Sequence, residues 1–292
     1  MINKIRSINN GIFLSLLSTF MFSVMFMLIK LVSASIPSEE IVFFRSLICT
    51  ILVLLYVWAN KYTLEVKNKG VLIMRGLLGA AAILCSFYTV SKIKLGEASI
   101  LFQMAPVFVV IFAHFILKEA LPKFFYGLLL LSVVGCLLVI KPSFTNWGSI
   151  PALVGIASTA MAAGAYICIR SLGKEHNVYV IVLYFSVTAT IAPIPIMLKR
   201  FIVPNMTELV ILALVGIFAT MGQFFMTKAY RVEKAGIVSM TTYTGLFFNI
   251  FWGIVIWGEK LDIASIMGGL LILISCLVLS YKTYTYSNEP VQ

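Results

Sequence analysis

Apolar runs of about 20 residues, the length needed to cross a bilayer core, follow one another along the whole chain. They lie near residues 11–32, 40–59, 71–91, 96–117, 122–140, 149–170, 178–198, 207–229, 236–257 and 262–282, each bounded by Pro, Gly, Asn or charge. In lipid every backbone N–H and C=O must be bonded within its own segment or a closed barrel. These runs are about twice as long as a barrel strand and show no alternation of period two, so each predicts an α-helix. The third and fourth runs, and the eighth and ninth, are so closely spaced that they require tight antiparallel hairpins. The fold class is therefore an all-α integral membrane protein with ten transmembrane helices.

A second pattern is superimposed on the first. Shifting the chain by 140 residues, without a gap, brings Lys94 onto Lys234, Gly96 onto Gly236, Ser99 onto Ser239, Glu119 onto Glu259 and Leu121 onto Leu261. The same offset pairs Ser18 with Ser158, Thr19 with Thr159, Ser46 with Ser186, Thr50 with Thr190 and Gly76 with Gly216. Apolar helices match by chance, but one constant offset that catches polar and turn residues across five helices points to duplication. The units are 1–144 and 145–292. Five is odd, so the second copy enters the membrane from the other side, giving the inverted repeat that secondary transporters use for alternating access.

Composition narrows the function. Of 292 residues 61% are apolar and 11% charged, far from the roughly 25% charge of soluble folds, which excludes an ordinary soluble enzyme and leaves no room for a soluble domain. The balance of 22 Lys and Arg against 11 Asp and Glu gives a net +11. Those cations sit in short connections, so they orient the chain in the membrane and imply no nucleic-acid partner. With the N-terminus inside, fourteen of the basic residues, Arg75 among them, fall on the cytoplasmic side and seven on the other, favouring cytoplasmic termini. Cys49, Cys85, Cys136, Cys168 and Cys276 lie within apolar runs without Cys-x-x-Cys spacing and suggest neither disulfides nor a metal site. The first run is too long for a signal-peptide core and reads as a retained span.

Polar residues facing lipid are costly, so a cavity announces itself as polar stripes on several helices. In the eighth run Gly216, Thr220, Gln223 and Thr227 follow one another at steps of four, three and four residues, on one face. The ninth offers Ser239, Thr242, Tyr243 and Asn249 on a wider arc, with Trp252 beyond. Ser99 and Gln103 repeat the theme in the fourth, Ser158, Thr159 and Tyr166 in the sixth, Ser86 and Tyr88 in the third. A Ser or Thr also bonds within its own helix, an amide also bridges two helices, and an aromatic also fills core. The amides Gln103, Gln223 and Asn249 are the most telling, because each needs several partners.

Charged residues within spans are few. Arg45 is about 7 Å from the start of the second run, at a cost of about 2.5–3.5 kcal/mol at mid-bilayer, with no acidic residue three or four positions away. It reads equally as a snorkelling anchor and as a contact for a substrate carboxylate or gate. Lys30 stands at the same boundary. Glu119 and Glu259 each precede a helix, where a carboxylate favours the positive end of the dipole, and are gate or capping candidates. No Asp or Glu lies at mid-membrane; Glu40, Glu97 and His114 are the titratable groups nearest to it.

Around these positions the sequence resembles the drug/metabolite transporter superfamily, EamA type. The resemblance rests on Lys30 ending the first helix, Phe44-Arg45 early in the second, Ala105-Pro106 in the fourth and the two Glu-x-Leu turns at Glu119 and Glu259, and it extends over nearly the whole chain. Leu246 stands where the first repeat has Pro106, and Lys118 where the second has Gly258. The resemblance implies a ten-helix carrier of the bacterial inner membrane for small metabolites, amino acids or drugs, often an exporter, with its cavity between the repeats. A small zwitterionic or amphipathic metabolite such as an amino acid or its derivative is expected over a highly charged phosphate ester, because no basic cluster is apparent. The expected partners are this substrate and the bilayer, the chain being a monomer or homodimer without cofactor. The rival readings are an uptake carrier, a channel or assembly factor, and a membrane-embedded enzyme, the last lacking a Gly-x-Ser-x-Gly nucleophile or titratable groups gathered at one depth.

Overall fold

The structure is a computed structural model that describes residues 2–62, 64, 68–117, 127–128, 130–131, 134–135, 138, 150–172, 177–232 and 244–286. Its helices are α1 (Ile2–Val32), α2 (Ser38–Ala59), α3 (Lys69–Lys92), α4 (Leu95–Phe102), α5 (Ala105–Leu117), α6 (Ile150–Leu172), α7 (Val178–Ile191), α8 (Ile194–Met197), α9 (Met206–Val232), α10 (Thr244–Trp257) and α11 (Ile263–Tyr286). No strand occurs among the described residues. Six stretches are long and apolar enough to cross a membrane: Gly11–Val32, Ser38–Ala59, Lys69–Lys92, Ile150–Leu172, Val178–Met197 and Met206–Tyr230. The fifth predicted run lies mostly outside the described residues, and its described positions are helical.

Two predicted spans are broken. The fourth divides into α4 and α5, since Pro106 brings no N–H to bond the carbonyl of Phe102, the last residue of α4. The chain tightens there: the N–H of Gln103 donates to Ile100 O at 3.1 Å and that of Met104 to Leu101 O at 3.0 Å. The seventh divides into α7 and α8 at Pro193 and Pro195, which withdraw two donors in succession. By contrast α9 begins cleanly. Asn205 Oδ1 accepts the Glu208 N–H at 3.0 Å and Glu208 Oε2 accepts the Asn205 N–H at 2.7 Å, a reciprocal capping box that satisfies two orphan donors.

The inversion follows from helix-end contacts. Lys30 Nζ, at the end of α1, donates to Val90 O and Ile93 O at the end of α3, so α1 and α3 finish at the same end of the bundle. Thr89 Oγ1, also near the end of α3, donates to Pro151 O at the start of α6 at 2.9 Å. Helix α6 therefore runs opposite to α1, its counterpart 140 residues earlier. The most extensive packings, α1 on α9 and α3 on α6, are equivalents under the same exchange of halves.

Residues that touch their own counterparts mark the pseudo-two-fold axis, as at any isologous contact. Thr50 Oγ1 lies 3.5 Å from Thr190 Oγ1, and each hydroxyl bonds back to the matching carbonyl, Ser46 O at 2.9 Å and Ser186 O at 2.8 Å. Arg45 reaches the ring of Phe185, again its counterpart. Helices α2 and α7 thus cross on the axis. Next to them a Cβ on Gly76 would lie 2.5 Å from Thr188 Oγ1, and one on Gly216 would lie 2.5 Å from Ile48 Cβ, equivalent close approaches in the two halves. Without a hydrophobic drive between helices in lipid, such small-residue contacts and their dispersion energy hold the bundle together, while side chains such as Leu55, Leu77 and Ile254 face outward.

Candidate functional site

A cavity of about 250 Å³ lies between the halves. Helix α1 lines it with Ser15, Ser18, Thr19 and Ser23, α2 with Arg45, α3 with Ser86 and Phe87, and α4 with Ser99 and Phe102, followed by Gln103. From the second half come Ser158, Thr159 and Tyr166 on α6, Gln223, Met226 and Tyr230 on α9, and Asn249 on α10. The lining runs from the middle of the bundle toward the end where α1 starts. The opposite end is closed by Ile29, Val32, Ile36 and Leu95, all buried in one apolar cluster.

Of the residues singled out in the sequence, Ser99, Gln103, Tyr166, Gln223, Asn249 and Arg45 stand in the cavity wall. Three others stand behind it. Thr220 turns its hydroxyl onto Gly216 O at 2.7 Å, Trp252 Nε1 donates to Ser23 Oγ at 3.4 Å, and Tyr88 is half-buried on α3. Tyr243 and Glu119 lie outside the described residues, as does the side chain of His114. The cavity-facing α1 residues were recognised only as repeat matches or not at all. Their signal is the spacing of Ser15, Ser18, Thr19 and Ser23, which places four hydroxyls on one face.

Several polar atoms of this wall have no protein partner: Ser99 Oγ, Gln223 Oε1 and Asn249 Oδ1. A buried polar group left unpaired costs about 1–3 kcal/mol, so three such atoms on residues that line one cavity suit a solute-binding site better than a sealed core. Tyr166 stacks on Tyr230 with ring centroids 5.5 Å apart and donates its hydroxyl to Met226 Sδ at 3.7 Å, a weak acceptor.

Arg45 does not reach for the interface. It is 1% exposed, its guanidinium carbon lies 5.3 Å from the Phe185 ring centroid, and Nε and Nη1 have no hydrogen-bond partner. Beside it stands a second buried arginine, one that the sequence pattern counts among the cytoplasmic basic residues. Arg75 is 2% exposed, 4.3 Å from the same centroid, with Nε and Nη1 likewise unpartnered. Arg75 is about two turns into α3, within snorkelling distance of the interface, so position alone does not reveal its burial. The pair also removes the premise that no basic cluster exists. A desolvated cation–π contact offers about 2 kcal/mol, against an effective penalty of several kcal/mol for each buried ion, so one shared ring does not offset two guanidiniums.

At the closed end Glu259 caps a helix, but not the one that follows it. Its carboxylate crosses to the other half and accepts the N–H of Leu95 at 3.0 Å and of Gly96 at 3.4 Å, at the start of α4. Gly258, at φ +60°, ends α10 in the left-handed region and turns the chain toward that position. Gly253 leaves the space: a Cβ there would lie 2.6 Å from Glu259 Oε2. Lys94 Nζ adds a bond to Lys260 O at 3.0 Å, and Lys30 docks on the terminal carbonyls of α3 as a cation favoured by that end of the helix dipole.

A polar cavity on the axis of two inverted helical repeats defines a membrane transporter of small molecules, and the comparisons agree. The EamA-like transporter family model matches residues 9–141 and again 149–281. The chain belongs to this family. It is 41% identical to the pseudopaline exporter CntI of Pseudomonas aeruginosa (strain UCBPP-PA14), over 94% of this chain and 96% of that one. It is 26% identical to solute carrier family 35 member G1 of Homo sapiens, over 96% of this chain and 81% of the relative. It is 23% identical to the S-adenosylmethionine uptake transporter of Rickettsia prowazekii, covering 96% and 95%. A solved crystal structure only 13% identical superposes over 95% of this chain and 98% of its own with a TM-score of 0.65, a likeness of fold. The chain is thus a multi-pass transporter of a small metabolite in a lipid bilayer.

Proposed function

We propose that the protein exports or exchanges a small metabolite derived from an amino acid, by alternating access. The units 1–144 and 145–292 rock about the axis crossed by α2 and α7, and the cavity opens first to one side and then to the other. Both termini lie in the cytoplasm and the membrane is the bacterial inner one. The chain catalyses no covalent chemistry and works as a monomer or homodimer. The observation that carries this reading is the cavity itself: polar atoms without protein partners, on helices from both halves, sealed at one end. Export is favoured by the pseudopaline exporter at 41% identity, whereas the S-adenosylmethionine carrier, of opposite direction, is only 23% identical.

The test is counterflow in proteoliposomes containing the purified chain, with a labelled pool of amino acids and derivatives that includes pseudopaline. The expected result is protein-dependent exchange of one chemical class. Because the described cavity wall holds no carboxylate or histidine, exchange should persist when a proton gradient is collapsed. No exchange of any label by correctly folded protein would reject the proposal.

A further inference from the structure

Two buried arginines meet on the axis without an acid. Arg45 enters from one end of the bundle on α2 and Arg75 from the other on α3, and both guanidiniums lie over the ring of Phe185. Their four Nε and Nη1 donors have no protein partner. Neither arginine makes an ion pair among the described residues, and the buried carboxylate of Glu40 accepts the N–H of Ile202 at 3.1 Å through one oxygen and has no partner on the other. The space for the pair is provided by backbone: a Cβ on Gly79 would collide with Arg75 Nη1 and come within 2.7 Å of the Phe185 ring. Arg45 and Tyr166 stand in the cavity wall, and Arg75 lies just outside it, next to Tyr166 and Arg45. Across the same cavity the unpartnered atoms are of the other kind, the amide oxygens of Gln223 and Asn249, which accept hydrogen bonds.

We propose that Arg45 and Arg75 form the anion half of the substrate site, and that the substrate is an amino dicarboxylate. Its carboxylates meet the guanidiniums and its amine donates to Gln223 Oε1 and Asn249 Oδ1. Two buried positive charges with no internal counter-ion call for a ligand bearing two negative ones, and planar forks of N–H donors match carboxylate oxygens. The site's place is functional as well. Arg45 and Phe185 are counterparts across the axis, so when the halves exchange roles the pair stays central and reachable from either side. The zwitterion expected from sequence is thereby replaced by an acid of higher charge. This inference rests on the transporter reading and refines its substrate.

The test is equilibrium binding to the detergent-purified full chain, by calorimetry and thermal shift, with simple probes. Iminodiacetate and glutamate should bind at least tenfold more tightly than glutamine, which lacks the second carboxylate, and more tightly than glutarate, which lacks the amine. Arg45→Gln and Arg75→Gln should each weaken iminodiacetate at least tenfold, with Arg45→Lys intermediate. Gln223→Leu should abolish the preference for glutamate over glutarate. Where a Gln variant does not elute as a monodisperse species, Arg45→Lys and Arg75→Lys carry the comparison. Equal binding of iminodiacetate by wild type and Arg variants, or equal binding of glutamine and glutamate, would overturn the proposal. So would equal competition by inorganic phosphate or by phosphatidylglycerol, which would assign the arginines to phosphate or lipid headgroups. If dicarboxylates bind but nothing is exchanged in proteoliposomes, the transport reading fails and the site stands. If exchange proceeds unaltered in the Arg variants, the reverse holds.

Discussion

Gln223 and Asn249 separate a binding role from a structural one. Because the amide oxygens have no protein partner, replacing either side chain by Leu removes an unpaired acceptor from a buried place, which is close to neutral or stabilising by up to about 1 kcal/mol. A side chain that bridged helices would instead cost stability. The expectation for Gln223→Leu and Asn249→Leu is therefore an unchanged or slightly raised thermal midpoint together with a KM for exchange raised about tenfold. A lowered midpoint with unchanged KM would make these amides structural glue. At this scale the sequence is informative wherever a side chain has no inexpensive position facing lipid: Gln103, Gln223 and Asn249 are legible as cavity residues for that reason. Small hydroxyls are not, since Thr220 and Ser158 satisfy themselves on carbonyls of their own helices, Gly216 O at 2.7 Å and Gly155 O at 2.6 Å. Arg75 is illegible for a different reason. Its long side chain reaches either interface or interior, and only the ring of Phe185, more than a hundred residues away in the chain, decides between them.

Helices carry the next set of expectations. The break between α4 and α5 lies beside Gln103 in the cavity wall, and Pro106→Ala restores a donor that would let the fourth span close into one helix. That change should raise thermal stability and slow exchange, read as a higher midpoint with a lower kcat. A faster carrier would contradict a role for the break. The cap by Glu259 is worth about 0.5–2 kcal/mol by analogy with other helix caps. Glu259→Ala should lower stability by that amount and increase thiol labelling of a cysteine placed at Lys94, as the closed end loosens. Gly253→Ala should mimic it in part, because a methyl group there displaces the carboxylate. Both would be wrong if labelling at position 94 stayed as in the parent. The two glutamates are legible from their recurrence, but the helix that Glu259 serves is not: proximity in sequence points to α11, whereas the fold brings the start of α4 to it. Substituting Val at Gly76 or Gly216, where helices nearly touch, should cost about 1–3 kcal/mol by overpacking in each case, equivalently in the two halves.

For the molecule as a whole, the constant offset of 140 residues carries the argument. It is visible in sequence because polar and turn residues keep their register, and in the fold because Thr50 meets Thr190 and Arg45 meets Phe185. What the linear pattern does not disclose is which helices meet across the halves. The packing of α1 on α9 and of α3 on α6 depends on long-range complementarity of small residues. An axis of this kind makes the two orientations of the carrier near-equivalent packings of the same parts, so a site on the axis serves both. The most direct measurement is labelling with a membrane-impermeant thiol reagent from either face of sealed vesicles. Single cysteines are placed at Ala120 and at Lys260, next to the corresponding turns of the two repeats, in a chain with its five native cysteines replaced. The account predicts that position 120 reacts from one face and position 260 only from the other. Reaction of both from the same face would mean that the repeats are not inverted, and the shared axial site would have no basis.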